Sequence, residues 1–175
     1  MDPSETGGRM LLLLRHGKAE PAAEQDHQRD LAAKGRDQAR LVGDYLAAQG
    51  VRPDLVLVSD AERTRQTWEN VQAAMPDHGG EVDIREEIYH GGPAQVVELL
   101  REVPAEKRVV LVVGHEPTMS VLGHLLASDD ESDPGAIAQA RLGLPTGAMC
   151  VLTGDLGSWS DLDEDTLELH TIVRS

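Results

Sequence analysis

The feature that most constrains the fold is a run of leucines, Leu11–Leu14, that leads directly into Arg15-His16-Gly17. A short apolar run that stops at a turn signal is typical of a strand buried on both faces. A second apolar run, Val109–Val113, ends in the same way, in Gly114-His115-Glu116-Pro117. Ligands of open α/β sheets bind at the carboxyl ends of the strands. The two histidines are therefore predicted to share one site.

The rest of the chain alternates between helix and strand patterns. Further strands are predicted at 55–58, 82–84, 148–153 and 167–173, and helices at 34–49, from 60 to about 75, at 93–103 and at 117–127. This alternation predicts an α/β fold with a mostly parallel central sheet, covered by helices on both faces as a three-layer α/β/α sandwich. Residues 167–173 alternate in polarity and are predicted to form an antiparallel edge strand.

Length and composition predict one domain without a membrane span. The 175 residues contain no repeat or low-complexity linker, so residues 10–175 are assigned to a single domain. Residues 1–9 are expected to be a disordered tail or an expression remnant, with Met10 as a candidate native start. No apolar run approaches the roughly 20 residues that cross a bilayer.

Charge and cysteine content narrow the partners and the compartment. The formal charge of −15 argues against nucleic acid as a partner, because phosphate backbones bind clustered Lys and Arg. The single cysteine, Cys150, excludes an internal disulfide and fits a reducing compartment. A cytoplasmic monomer is expected.

Spacing excludes several catalytic and metal-binding motifs. No arginine follows Cys150 closely enough for a cysteine-phosphatase loop. Met119 stands four residues after His115, where a zincin helix has its second histidine. Neither a P-loop nor a Gly-x-Gly-x-x-Gly segment occurs. We expect no metal and no cofactor.

The polar residues at the strand ends favour phosphoryl chemistry. Arg63 is predicted to lie about one helical turn past the end of a strand, beside the two strand-end histidines and Arg15. Phosphoryl transfer depends mainly on positioning and on stabilising the charge of the oxygens. Arginine pairs its planar fork with two oxygens and stays charged. A neutral imidazole can attack phosphorus and later release the phosphoryl group to water.

Four segments carry a family resemblance. They are Leu14-Arg15-His16-Gly17, Arg29-Asp30-Leu31 leading to Gly35, Val58-Ser59 followed by Arg63-Thr64 and Thr67, and Val112-Val113-Gly114-His115-Glu116-Pro117. In this order the chain resembles the histidine phosphatase superfamily (phosphoglycerate mutase-like), and more narrowly its small SixA-type phosphohistidine phosphatases. The resemblance implies a domain without a large cap insertion.

The resemblance also implies roles for particular residues. His16 would be the nucleophile that becomes phosphorylated. Arg15, Arg63 and a protonated His115 would complete the phosphate pocket. Gly17 would let the backbone close up behind His16, where a carbonyl could fix its tautomer.

The general acid and the outer substrate contacts stay open at this point. Glu86, Glu87 and His90 lie in the loop where related enzymes place an acid, and either contact substrate or form loop surface. Glu116 either serves as an acid or caps the following helix, and Lys18 either contacts phosphate or is exposed. SixA-type proteins lack the acid, which suits a labile phosphohistidine P–N bond.

Three functions are compatible with these residues. The first is a metal-independent phosphatase that removes phosphate from phosphohistidine in a protein of the histidine phosphotransfer type, with inorganic phosphate as product. The second is a phosphomonoesterase of the same superfamily that acts on a small phosphorylated metabolite. The third is a non-catalytic module that binds a phosphoprotein.

Overall fold

Six strands form one mixed sheet in the computed structural model, which describes residues 8–175. They are β1 (Arg9–Arg15), β2 (Leu55–Ser59), β3 (Glu81–Arg85), β4 (Val109–Gly114), β5 (Met149–Gly154) and β6 (Glu168–Val173). The order across the sheet is β3-β2-β4-β1-β5-β6. The first four are parallel, whereas β5 is antiparallel to both β1 and the edge strand β6. The predicted mostly parallel sheet with an antiparallel edge is confirmed.

Helices cover both faces of this sheet. Among the described residues they are α1 (Ala33–Gln49), α2 (Glu62–Ala73), α3 (Glu86–His90), α4 (Pro93–Arg101), α5 (Thr118–Leu125) and α6 (Pro134–Leu142). Apolar residues of α1 and α2 share one core cluster, and those of α4, α5 and α6 share the other. The three-layer α/β/α sandwich is thus confirmed. Short 3-10 turns occur at Asp26–Gln28 and Trp159–Asp161.

The leucine run of β1 supplies both cores. Leu11 and Leu13 belong to the cluster that includes α4, α5 and α6, whereas Leu12 and Leu14 belong to the cluster of α1 and α2. Successive side chains of a strand point to opposite faces of the sheet. Because β1 lies between β4 and β5 with a helical layer on each side, every position of the run is buried and must be apolar.

Two helices lie where loops were expected. Helix α6 follows the acidic stretch, and its first turn is capped by Asp133, whose carboxylate accepts a hydrogen bond from Ala136 N at 2.8 Å. Pro134 occupies the first helical position, where its missing N–H costs nothing. Helix α3 is a single short turn after β3, within the loop where related enzymes place an acid.

The expected N-terminal tail needs a correction at its inner end. Residues 1–7 of that prediction lie outside the described residues, but Arg9 is the first residue of β1 and is buried. Its guanidinium donates hydrogen bonds to the carbonyl oxygens of Ala105, Leu156 and Gly157, at 2.7–3.0 Å. These three acceptors allow a charged side chain to lie in the strand. The assignment of residues 10–175 to one domain remains a prediction.

The segment between β1 and α1, residues 16–32, is a loop over the carboxyl end of the sheet and no cap domain is inserted there. It contains the 3-10 turn at Asp26–Gln28 and an isolated bridge between Ala19 and Leu31. Within residues 8–175, no helix combines the length and the apolar character that crossing a membrane requires.

Candidate active site

The carboxyl ends of three neighbouring parallel strands meet at one edge of the sheet. Strands β2, β4 and β1 end at Ser59, Gly114 and Arg15, and the two strand-end histidines follow β1 and β4 directly. The ring centroids of His16 and His115 are 5.4 Å apart. The structure therefore brings together the two histidines that the sequence predicted to share a site.

The ring of His16 is held in one orientation by its own neighbour. Nδ1 lies 2.8 Å from the carbonyl oxygen of Gly17, which can only accept, so Nδ1 carries the proton. In a neutral imidazole the other nitrogen, Nε2, then keeps its lone pair. His16 is 7% exposed, so the ring is buried but reachable.

Gly17 allows two backbone segments to come unusually close. A Cβ at Gly17 would stand 2.5 Å from the carbonyl oxygen of Gly35, at the start of α1. The N–H of Gly17 donates to Thr67 Oγ1 of α2 at 3.0 Å. Both helices of one layer thus contact the residue whose carbonyl orients His16, and any larger side chain here would displace it.

Both histidines are neutral at pH 7. Burial lowers the pKa of His16 to about 4. The hydrogen bond to Gly17 opposes this shift, whereas the nearby positive charges of Arg63, Arg15 and Arg29 add to it. Burial also lowers the pKa of His115 to about 3, assisted by His16 and then Arg63. Neutral His16 suits nucleophilic attack.

In the free protein His115 is uncharged, so the protonated His115 that was expected to hold phosphoryl charge stays a prediction for the substrate-bound state. Burial disfavours the charged ring, and the positive charges of Arg63 and Arg15 nearby add to this effect. Its Nε2 lies 2.8 Å from Ser59 Oγ, a hydroxyl that can donate or accept. A phosphoryl dianion bound against the two rings would raise the pKa of His115, because an opposite charge favours the charged form.

Arg15 lies at the end of β1 with its guanidinium partly buried. Nη1 donates to the carbonyl oxygen of Leu144 at 2.8 Å, while Nε is buried and has no hydrogen-bond partner among the described residues. Burial lowers the pKa of Arg15, and Glu116 opposes this shift. The guanidinium keeps its charge, since its ordinary pKa is far above neutrality.

Arg63 extends from the first turn of α2 and is 6% exposed. Its Nη1 donates to the backbone oxygen of Asp26 at 2.9 Å, and its Nη2 to the Asp26 carboxylate at 3.0 Å. The Nε of Arg63, like that of Arg15, is buried without a partner among the described residues. Unpaired guanidinium donors of this kind suit anionic oxygens.

Asp26 and Tyr89 are residues of this site that the sequence interpretation missed. The hydroxyl of Tyr89 donates to the Asp26 carboxylate at 2.8 Å, and this bond, followed by Arg63, lowers the pKa of Asp26 to about 2. The Tyr89 ring meets His115 edge-on at 5.5 Å. Asp26 begins the short 3-10 turn of the loop before α1, where the sequence has no periodic pattern. Only its position near Arg29-Asp30-Leu31 could have drawn attention to it.

Comparison with known proteins decides the family. Residues 11–90 match the family model described as the histidine phosphatase superfamily (branch 1). Phosphohistidine phosphatase SixA of Escherichia coli (strain K12) is 30% identical over 119 residues, which cover 67% of this chain and 71% of that protein. The chain belongs to the histidine phosphatase superfamily.

Two further proteins resemble this superfamily member over most of its length. An uncharacterized protein of Mycobacterium tuberculosis is 35% identical over 151 residues, covering 86% of this chain and 92% of that one. A solved structure from Nakamurella multipartitia, assigned as a phosphohistidine phosphatase SixA, is 33% identical with a TM-score of 0.84, and the match covers 96% of each chain. Membership and these similarities support a phosphatase.

The loop of Glu86, Glu87 and His90, which was left open between substrate contact and loop surface, does not direct these side chains to the histidines. Glu87 pairs with Arg85, Oε2 lying 2.6 Å from Nη2, and this ion pair lowers the pKa of Glu87. Glu86 and His90 are exposed, and His90 packs edge-on against Tyr89 at 5.0 Å. In the described residues, Tyr89 is the member of this loop that contacts the site.

Lys18 and Glu116 were the other two residues with alternative roles. The side chain of Lys18 is exposed, while its backbone N–H donates to Gln38 Oε1 at 2.8 Å. The carboxylate of Glu116 accepts hydrogen bonds from Ser120, in the first turns of α5, and from Leu144 N. Glu116 therefore caps the start of α5 and also contacts the segment that contains Leu144.

Neither thiolate chemistry nor metal binding is indicated by the described residues. Burial raises the pKa of the Cys150 thiol to about 12, so it is not a thiolate at neutral pH. Across residues 8–175, no group of three or more His, Cys, Asp or Glu side chains is arranged to hold a metal ion.

Proposed function

We propose that this protein is a phosphatase in which His16 is the nucleophile and phosphohistidine in a protein is the preferred substrate. The observation that carries the proposal is the bond from His16 Nδ1 to the carbonyl of Gly17, which leaves Nε2 as an unprotonated nucleophile. The positive charges of Arg63 and Arg15 lie close enough to His16 to lower its pKa, and the ring of His115 lies 5.4 Å from that of His16, so we assign these three residues as the donors to the phosphoryl oxygens.

In the first step, Nε2 of His16 attacks phosphorus in line with the bond to the leaving group. The P–Nε2 bond forms while the P–N bond to the substrate imidazole breaks. The departing imidazole nitrogen keeps the electron pair and takes a proton from solvent. Arg15 and Arg63 stabilise the charge that spreads over the phosphoryl oxygens, and charge-assisted bonds of this kind are the strong ones.

In the second step, water attacks the phosphorus on His16. The P–Nε2 bond breaks, its electron pair returns to Nε2, and the proton of water passes to solvent through the exposed side of the site. The product is inorganic phosphate. His115 gains a proton from solvent when the dianion is bound, donates a hydrogen bond to a phosphoryl oxygen, and loses the proton again when phosphate leaves. Its low pKa in the free protein fits a charge that is needed only with substrate present.

The hydrogen bonds of the candidate acids favour a phosphohistidine substrate. The carboxylate of Glu87 is occupied by Arg85, and that of Glu116 by Ser120 and Leu144. An alcohol leaves poorly without a positioned acid. An imidazole is a far better leaving group, so a site without such an acid can still cleave a P–N bond. The similarity to SixA proteins supports the same substrate.

The experiment compares phosphate release from a histidine-phosphorylated protein and from an aryl phosphate, both in excess chelator. We expect wild type to release phosphate from the phosphohistidine protein with full activity in chelator, and little from the aryl phosphate. His16→Ala is expected to be inactive. His170→Ala is the matched control, because His170 is an exposed histidine of the edge strand β6.

The other outcomes separate the alternatives. A preference for the aryl phosphate would indicate a small-molecule phosphomonoesterase. Loss of activity in chelator would contradict metal independence. No release from either substrate, with binding retained, would indicate a non-catalytic phosphoprotein module. We also propose that the protein is a monomer and acts in the cytoplasm.

A further inference from the structure

The loop between α6 and β5, residues 143–148, contacts the end of β1 at three points. Nη1 of Arg15 donates to the carbonyl oxygen of Leu144 at 2.8 Å, and the backbone N–H of Arg15 donates to Ala148 O at 3.0 Å. The N–H of Gly147 donates to His16 O at 2.9 Å. The 143–148 loop therefore fixes the backbone of the proposed nucleophile and the side chain of its neighbour.

The direction of the Arg15 guanidinium depends on one of these contacts. Among the described residues, Leu144 is the residue that offers it a hydrogen-bond acceptor, and Nε is buried without any. An arginine side chain has several rotatable bonds, so the position of its hydrogen-bond acceptor determines the orientation of the guanidinium. If Leu144 moves, the cation that is to bind phosphoryl oxygen moves with it.

Leu144 is in turn held by Glu116, the residue after His115. Oε2 of Glu116 accepts hydrogen bonds from Leu144 N at 3.0 Å and from Ser120 Oγ at 2.8 Å, and Oε1 accepts from Ser120 N at 2.8 Å. Leu144 is 3% exposed. One carboxylate thus joins the start of α5 to the 143–148 loop.

We propose that Glu116 is a positioning residue for Arg15, acting through Leu144 to aim the guanidinium at the phosphoryl group. This inference rests on the proposed function. It assigns Glu116 no proton transfer. Both of its carboxylate oxygens already accept hydrogen bonds from Ser120 or Leu144, which holds these residues in place.

Three variants test this role. Glu116→Ala removes the contact with Leu144, and we expect kcat/KM to fall about tenfold to a hundredfold, as misplacement of a catalytic group typically costs. Glu116→Gln keeps an amide oxygen that can still accept from Leu144 N, so a smaller loss is expected. Asp133→Ala is the matched control, because it removes a helix cap on α6 without touching Leu144, and activity should be unchanged.

Two measurements separate positioning from acid catalysis. A positioning defect lowers the rate equally for aryl phosphates with good and poor leaving groups, whereas loss of an acid is worst for poor ones. In an Arg15→Ala background, Glu116→Ala should cost less than about twofold more, because residues that act as a unit are non-additive. Additive losses, or a Gln variant as impaired as the Ala variant, would overturn the inference.

Affinity for inorganic phosphate, measured by titration calorimetry, tests Glu116 independently of turnover. We expect Glu116→Ala to bind phosphate more weakly than wild type and Asp133→Ala to bind it equally. Equal binding by Glu116→Ala contradicts the inference and leaves the proposed function standing. Wild type that binds phosphate but releases none from any substrate contradicts the proposed function, while the affinity comparison still decides the role of Glu116.

Discussion

At the scale of single residues, the site combines two neutral histidines with two charged guanidinium groups. The pKa values of His16 and His115 are lowered to about 4 and about 3, in both cases mainly by burial. Arg15 and Arg63 each keep a buried Nε without a partner among the described residues. These unpaired guanidinium donors favour a dianionic phosphoryl group over neutral ligands, although Arg63 is also paired with the ionised Asp26.

The low pKa of His16 predicts how stability depends on pH. As pH falls from 7 to 5, the unfolded chain protonates this histidine near its ordinary pKa of 6.5, while the folded chain does not. The unfolded state then binds more protons, so the free energy of unfolding falls, by about 2 kcal/mol from His16 alone. Urea unfolding at the two pH values should show this loss in wild type.

His16→Ala removes that contribution, so its free energy of unfolding should depend less on pH than that of wild type. His170→Ala should behave like wild type, since the edge-strand ring is exposed. The same pH dependence in wild type and His16→Ala would show that His16 titrates normally in the folded state.

Arg63 and Arg65 provide a matched pair of arginines on one helix. Arg63 is buried and contacts Asp26, whereas the side chain of Arg65 is 48% exposed and lies 3.8 Å from Glu62. Arg63→Ala should lower kcat about 10²–10³-fold, as loss of one charge-stabilising donor does. Arg65→Ala should change it less than about twofold. Steady-state kinetics of both variants checks this, and equal effects would mean that the guanidinium of Arg63 is not in the site.

At the scale of elements, the turn after β1 is fixed by its close approach to α1. A Cβ at Gly17 would lie 2.5 Å from Gly35 O, a backbone atom that cannot rotate away. The carbonyl of Gly17 orients His16, so a displaced turn would also misalign the nucleophile. Packing and catalysis are thus coupled at this glycine.

Gly17→Ala should therefore lose both stability and activity. Overpacking of this kind typically costs about 1–3 kcal/mol, and kcat should fall as well because the Gly17 carbonyl shifts. Gly79→Ala is the control, because an added Cβ there meets nothing within 4 Å. Thermal unfolding and kinetics of the two variants measure both effects. A stable, fully active Gly17→Ala protein would contradict the tight approach.

An element could be predicted from the sequence where the residues that determine it are close together in the chain. The strands β1 and β4 were predicted because burial on both faces demands unbroken apolar runs. Helix α6 was missed because its weakly amphipathic sequence follows an acidic loop, although Asp133 and Pro134 form a recognisable start. Asp26 and Tyr89 were missed because their roles depend on the meeting of two loops, 63 positions apart in the chain.

For the residues at strand ends, the position in the site could be predicted from the sequence but the pKa could not. His16 and His115 could be placed together because parallel strands bring their carboxyl ends to one edge. The sizes of their pKa shifts could not be predicted, because they depend on burial and on the positions of arginines distant in the chain. The contact of Glu116 with Leu144 joins residues 28 positions apart and was equally beyond a local pattern.

At the scale of the whole molecule, the two arginines of the site lie in a chain with a formal charge of −15. An acidic phosphoprotein is repelled by the overall charge at long range and attracted by the site only at close range. Repulsion between exposed charges is screened within about 8 Å at physiological ionic strength but reaches about 30 Å at 0.01 M.

For an acidic phosphohistidine protein, kcat/KM should therefore rise as salt increases from about 0.01 to about 0.15 M, since screening weakens the repulsion. A small aryl phosphate should respond less, because it carries far less charge. Initial rates across a salt series measure this. A steady fall with salt for the protein substrate would instead indicate a basic docking surface that outweighs the overall charge.

The central claim is that His16 Nε2 carries the phosphoryl group during turnover. The most direct measurement is to quench the reaction with a phosphohistidine protein under alkaline conditions, which preserve phosphohistidine, and to locate the bound phosphoryl group by peptide mass spectrometry. The account predicts a phosphoryl group on His16 in wild type and none in His16→Ala. Phosphate release by wild type with the group on another residue, or release by His16→Ala, would contradict it.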